Sequence, residues 1–336
     1  MYSVRYYGAL GDGAALDTLA IQAAIDACHR AGGGTVWLPA GRYLTGTLYL
    51  RSYVTLYLAA QATLVGSPAP DDYASDVDTC RQQGGEALDR CLIFARQAQR
   101  VGICGEGVVD GQGEGDSFAN PGSEQRPMLL RLVGCTEVRL RDVTIQAPAS
   151  WATSLIDCRD VRIEDVTIHS RAKADGQGLV LDGCQDVWVR GCRIDASGDG
   201  MAVHSSEREA PCQRVMIRDC TLTVEGAGVR IGLLSRGDVR SVTVSDCCFD
   251  GCADCGIALQ VCEGGELADL SFANLMMLNT PRPVFATLSS YAASRGKGAT
   301  LPPIGALRRV EFRGLHASCG PQGRDGLRSF IGLLGL

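Results

Sequence analysis

An all-β fold, a single-stranded right-handed parallel β-helix with a short N-terminal capping helix, is what this sequence predicts, and three observations carry the prediction. A strand phrase recurs along the chain as EVRLRDVTI, DVRIEDVTI, DVWVRGCRI, RVMIRDCTL and SVTVSDCCF, with RVGICGEGVV ahead of them. Its marker valines Val138, Val161, Val187, Val215 and Val242 stand 23, 26, 28 and 27 residues apart, the period of a solenoid coil. No amphipathic helical segment fits into those intervals, so a sheet with crossover helices is excluded and each coil is built from about three short strands. Finally, 42 glycines, 46% hydrophobic residues and 21% charged residues suit many short buried strands joined by tight turns, not a disordered chain.

Residues 1–35 are the expected cap. After the glycine-rich turn YYGALGDG, Ile21, Ala24, Ile25 and Cys28 recur at helical spacing and Gly32, Gly33 and Gly34 end the pattern, so a helix of about three turns covers the open end of the coil. From Thr35 to Ser67 apolar and polar residues alternate in short runs broken by prolines and glycines, the pattern of strand and turn. Residues 66–90, with Asp71, Asp72, Asp76, Asp78 and Asp89, read as an acidic surface excursion. The coils continue through LADLSFANLMML and LRRVEFRGLHAS, and residues 281–306 are expected to fold over one face as a long loop. A wall built in this way is one domain, 1–336. The closing SFIGLLGL suggests a partly open last coil, whose uncovered edge invites self-association.

The formal charge of −6 and the sequence pI near 5.3 leave no basic stripe for phosphates, which argues against a nucleic-acid partner. No apolar run reaches the length of a membrane span, and the N-terminus lacks the basic-then-apolar order of a leader. No membrane partner and a cytoplasmic location are therefore expected, although an exported chain shorn of its leader would read the same. Sixteen cysteines raise the question of disulfides or metal. Cys135, Cys158 and Cys184 precede like phrases, and Cys192, Cys220 and Cys247 hold like places in later ones, so they are expected to stack as buried thiol ladders. Cys252 and Cys255 form a CxxC with no histidine nearby, so no zinc site, no other metal and no cofactor are expected.

Chemistry is expected in residues 173–206, KADGQGLVLDGCQDVWVRGCRIDASGDGMAVHSS, whose loops carry acids, glycines and one histidine. Earlier in the chain, YYGALGDGAALDTLAIQAAIDACHRAGGGTVWLPAGRYLTGTLYLRSYVTLYLAAQATLVGS and then GEGVVDGQG closely resemble glycoside hydrolase family 28, the polygalacturonase-like family of the pectin-lyase-like β-helices. The resemblance runs over nearly the whole chain. It implies an inverting hydrolase with one acid in an Asn-Thr-Asp-Gly motif, two in Gly-Asp-Asp, a histidine in Gly-His-Gly, and an Arg-Ile-Lys pair that grips a substrate carboxylate. Carried over position by position, the first acid of Gly-Asp-Asp is Asp199, matching the family's general acid, and Gly200 replaces the second. The Asn-Thr-Asp-Gly acid falls on Gln177, or on Asp175 after a two-residue shift of register. Gly-His-Gly becomes Gly226-Ala227-Gly228 and Arg-Ile-Lys becomes Ala258-Leu259-Gln260, so neither the histidine nor the carboxylate grip is carried over. Phrases such as VRIGLLSRGDV and LQVCEGG resemble a divergent branch of the family.

Inverting hydrolysis needs a protonated carboxyl beside the leaving oxygen and a carboxylate across the sugar that deprotonates water, about 6.5–9.5 Å away. Coils stacked about 4.8 Å apart allow Asp199 and Asp175 to span that gap if their loops face one groove. Asp199 is then the candidate acid and Asp175 the candidate base, while turn capping explains either aspartate as well. Glu225 or Asp182 could compensate for Gly200, and Glu225, just before the Gly-Ala-Gly loop, is the better candidate and is expected among the substrate-binding residues. Gln177 and His204 are candidate substrate ligands, His204 also a proton shuttle, and Arg230 is a candidate for sugar hydroxyls or a carboxylate. Trp151 offers a face for sugar stacking, with a core tryptophan the equal alternative.

The expected partner is an oligosaccharide or polysaccharide. The expected reaction is inverting hydrolysis of an α-glycosidic bond in a pectin-related or other plant oligosaccharide, not plain polygalacturonate. Two rivals come from other classes. One is a catalytically degraded β-helix that binds glycans or assembles with a partner; the other is a polysaccharide lyase, which needs calcium-binding acids and a basic proton abstractor.

Overall fold

The structure, a computed structural model, describes residues 1–75, 90–118, 126–289, 303–318 and 330–333, the last four through their backbone alone. The described chain divides into two compact units, one ending at Gly176 and the other running from Gln177. Both have the architecture of a right-handed parallel β-helix. In each coil two strands join one parallel sheet and a third joins another, as in Leu179–Asp182, Gln185–Arg190 and Arg193–Ala196.

Register explains why the valine phrase repeats. In the first unit Val138 lies opposite Val161, and in the second Val187, Val215, Val242, Leu270 and Val310 follow one another in a column. A parallel sheet keeps the same side chain on the same face in every coil, so the apolar position of the phrase becomes one continuous row of core. Between the two strands of the larger sheet the chain turns on single residues in the left-handed region. Asp142 and Asp165 do so in the first unit, and Asp219 and Asp246 in the second, with φ between 54° and 62°; Asn274, at φ 52°, holds the same place inside the continuous strand Glu266–Leu278. Asp and Asn tolerate that conformation better than most residues, which is why an acid sits in nearly every phrase.

The N-terminal helix is Thr18–Arg30, with Ile21, Ala24, Ile25 and Cys28 buried as the spacing predicts. Asp17, just ahead of it, accepts the amides of Leu10 and Gly11 at 2.7 and 2.9 Å, tying the glycine-rich turn to the helix start. The fourteen cysteines of the described residues are free thiols. Cys192, Cys220 and Cys247 form the expected column; contacts with Cys192 and Cys247, together with burial, push the Cys220 thiol far above its usual range. Cys252 and Cys255 point their sulfurs at the Leu222 carbonyl and the Asp254 carboxylate. No three His, Cys, Asp or Glu side chains among the described residues are grouped as a metal site. No described helix is long and apolar enough to cross a membrane.

The expected long loop at 281–306 needs correction. Val284–Leu288 is a strand, with Val284 opposite Ile257 and Leu288 opposite Val261, and its other edge carries Phe330–Leu333. Pro281 and Pro283 beside only five residues of alternation hid it, because proline within a run usually signals a loop. Residues 290–302 of that insert, and Asp76, Asp78 and Asp89 of the acidic excursion, lie outside the described residues.

Candidate active site

The second unit presents a polar row on the outer face of its smaller sheet. Strand register puts Asp182 opposite His204, and Ala202 opposite Arg230, which faces Ala258 in turn. Arg230 is thus flanked on both neighbouring strands by alanines, and the space above these short side chains lets its guanidinium lie across the sheet. There it meets Asp199, in the loop ahead of Met201–His204: Nε donates to Oδ2 at 2.6 Å and Nη2 to Oδ1 at 2.9 Å. The Ala227 amide adds a third donor to Oδ1 at 2.8 Å. Both partners are nearly buried, with 12% of the Asp199 side chain and 13% of the Arg230 side chain exposed. Burial opposes the charge on Arg230, but the hydrogen bonds and charge of Asp199 outweigh it and hold the guanidinium above its ordinary pKa.

Two glycines make this seat. A Cβ on Gly226 would lie 2.5 Å from Asp199 Oδ1 and 2.7 Å from the Gly198 backbone, so only glycine lets the carboxylate rest against the next coil. A Cβ on Gly200 would lie 2.6 Å from Leu222 Cδ2 and 2.8 Å from the Gly228 carbonyl. Position 200, read from the resemblance as a lost acid, is therefore a packed floor with no room for a carboxylate. It belongs to a column in which Gly178, Gly200 and Gly228 each press against the backbone of the glycine one coil on, ending at Gly256.

The ion pairing continues along the coils. Arg230 Nη2 also donates to Asp254 at 3.1 Å, and its Nη1 to the Gln260 side chain. Asp254 is bound in turn by Arg282, whose Nε reaches the Asp254 carbonyl at 2.9 Å and whose guanidinium lies 5.4 Å from the Phe285 ring centre. Asp199, Arg230, Asp254 and Arg282 thus alternate in sign. Asp254 and Arg282 were missed in the sequence, although Asp199, Gly226, Asp254 and Arg282 recur 27 or 28 residues apart, as regularly as the valines do.

His204 is 2% exposed, and its Nδ1 has no hydrogen-bond partner. Burial lowers its pKa below the ordinary value; Asp182 and Asp199 pull the other way and Arg230 reinforces the lowering. The imidazole is therefore held neutral. Asp182 is engaged by Ser206, through its amide at 2.8 Å and its hydroxyl. Gln177 accepts the Asp199 amide at 3.1 Å, fixing the loop that carries the acid.

Of the residues singled out in the sequence, Gln177, Asp182, Asp199, His204 and Arg230 are thus set on or beside one sheet face of the second unit. Glu225 is exposed on the turn ahead of Gly226, its amide donating to the Ala196 carbonyl. Asp175 and Trp151 belong to the first unit. Asp175 takes a two-pronged ion pair from Arg126, at 3.2 and 3.0 Å, and is 44% exposed against 7% for Arg126. Trp151 is half-buried and packs on the apolar cluster of Cys91, Phe94, Met128 and Ile156.

Stacked parallel coils with a carboxylate seated on one outer sheet face define a protein of the parallel β-helix class. The sequence profile described as "Glycosyl hydrolases family 28" matches residues 39–301, and the chain belongs to that family. It is 39% identical over 118 residues to an exo-poly-α-D-galacturonosidase of Dickeya chrysanthemi, a match spanning 33% of this chain but only 19% of that enzyme. Against a probable polygalacturonase of Vitis vinifera it is 25% identical over 332 residues, 93% of this chain and 67% of the relative. The solved family 28 exopolygalacturonase of Yersinia enterocolitica superposes with a TM-score of 0.80 at 21% identity, covering 94% of this chain and 65% of that one.

Proposed function

We propose that the protein is an inverting glycoside hydrolase acting on an α-glycosidic bond in a pectin-related or other plant oligosaccharide other than plain polygalacturonate. One observation carries this reading: Asp199, the acid matching the family motif, is seated on the sheet face by Gln177, Ala227 and Arg230. In the reaction, Asp199 in its acid form gives a proton to the glycosidic oxygen as the C1–O bond breaks. A carboxylate on the other side of the sugar takes a proton from the water that attacks C1. Because N–H donors occupy Asp199 in the free protein, substrate entry must first draw Arg230 away, toward its other partners Asp254 and Gln260. The preference against polygalacturonate rests on Ala258 and Gln260, which stand where the resemblance expects a basic pair; Gln260 serves Arg230 instead.

Reducing-sugar release from polygalacturonate, rhamnogalacturonan and neutral plant oligosaccharides tests the substrate, and Asp199→Asn tests the acid. Turnover on one of the latter two should fall at least about a hundredfold in the variant, the usual contribution of general acid catalysis. Strong endo-cleavage of polygalacturonate would contradict the substrate reading. Weak turnover unchanged in Asp199→Asn would leave a glycan-binding β-helix.

A further inference from the structure

The first unit carries a separate cleft of about 510 Å³, within the size range of small-molecule sites. It lies where the chain leaves three successive strands, Val108–Asp110, Thr144–Gln146 and Thr167–Ser170. Register stacks Asp110, Gln146 and His169 in one column along its wall, and Gln112, Glu114 and Arg171 complete the polar lining. None of these side chains takes part in the reading above.

The wall is pre-set. Asp110 Oδ1 accepts the Gln112 amide at 2.9 Å and Oδ2 accepts Gln146 Nε2 at 3.0 Å, while Gln112 Nε2 donates to the Gly66 carbonyl at 2.6 Å. Gln112 and Ala147 both hold left-handed backbone, φ 50° and 48°, a conformation unusual for residues other than glycine and kept here by the stacked turns. A carboxamide has two N–H donors and an acceptor oxygen, and a carboxylate about four acceptor positions. Gln146 and Gln112 each spend one donor, and Asp110 two acceptor positions, within the protein. Glu114, exposed at the rim, makes no hydrogen bond or ion pair with the described residues.

Donors and acceptors are thus left side by side. An incoming anion would meet the carboxylates of Asp110 and Glu114, and the charge of Asp110 is already answered by two N–H groups. A ligand of vicinal hydroxyls, each both donor and acceptor, matches what remains. We propose that this cleft binds an uncharged saccharide unit, independently of Asp199 and its arginine.

Calorimetric titration of the full chain with neutral galactotriose and with trigalacturonic acid tests the proposal. The neutral trimer should bind weakly, in the millimolar range expected of a small ligand without an aromatic platform. Binding should weaken about fivefold, the value of one hydrogen bond, in each of Glu114→Ala and Gln146→Ala. Glu114→Ala removes an exposed group that has no partner among the described residues, so the fold is untouched and a negative result stands. The proposal is overturned if no saturable binding occurs up to about 20 mM, well above the expected range, if both cleft variants bind like the parent, or if the charged trimer binds as tightly as the neutral one. Loss of turnover on Asp199 substitution bears only on the hydrolase reading.

Discussion

Asp199 and Asp175 each face an arginine, but the two pairs differ in kind. In the second unit both members are nearly buried, the carboxylate has three N–H donors, and the arginine is shared with a second aspartate. In the first unit the arginine is buried while the carboxylate stands nearly half in solvent. Water screens the Asp175 pair far more than the Asp199 pair, so the same two residue types make a rigid anchor in one place and an adaptable contact in the other.

The largest effect is expected at the floor beneath Asp199. Gly200→Asp, which would restore the acid pair of the family motif, should instead destabilise the protein by roughly 4 kcal/mol or more, because it overpacks Leu222 and places an unpaired charge under the sheet. Denaturant melts check this; a variant as stable as the parent, with raised activity, would show the floor to be open.

Next comes the pair itself. Asp199→Ala should cost about 3 kcal/mol, since it leaves the nearly buried Arg230 with Asp254 alone to balance it, and Asp175→Ala somewhat less, about 2 kcal/mol, since it strands the buried Arg126 but removes a carboxylate that is itself half in solvent. Equal losses in the two melts would remove the distinction drawn above.

The smallest effect concerns pH. The folded pKa of His204 is depressed, so below its ordinary value near 6.5 the unfolded chain binds a proton that the folded chain refuses. This contribution to stability is intact above that pH and is lost as pH falls through and beneath it. His204→Asn should flatten the stability profile between about pH 7 and 5, and an unchanged slope would place the titration elsewhere.

Much of the fold was legible because a solenoid writes its register into the sequence. The valine column, the left-handed Asp turns and the capping helix each follow from a residue type recurring at a fixed interval. Val284–Leu288 was not legible, since its strand character comes from pairing with Cys255–Val261 and not from its own five residues between proline and serine. The site was legible in part for the same reason. Asp199, His204 and Arg230 were found by position, but the grip of Arg230 on Asp199 depends on Ala202 and Ala258 being short, residues that carry no chemistry of their own. Asp254 and Arg282 are hard to see in the sequence because the loops ahead of the smaller sheet's strands share a spacing but no common phrase like that of the valines.

The bare backbone of Gly178, Gly200, Gly228 and Gly256 sets how this molecule can change. Coils that rest on one another without side chains between them cannot be tuned at that seam, so diversification is confined to the turns that rise beside it. New specificity would have to come from lengthening or recharging those turns, one coil at a time, with the spine left as it is.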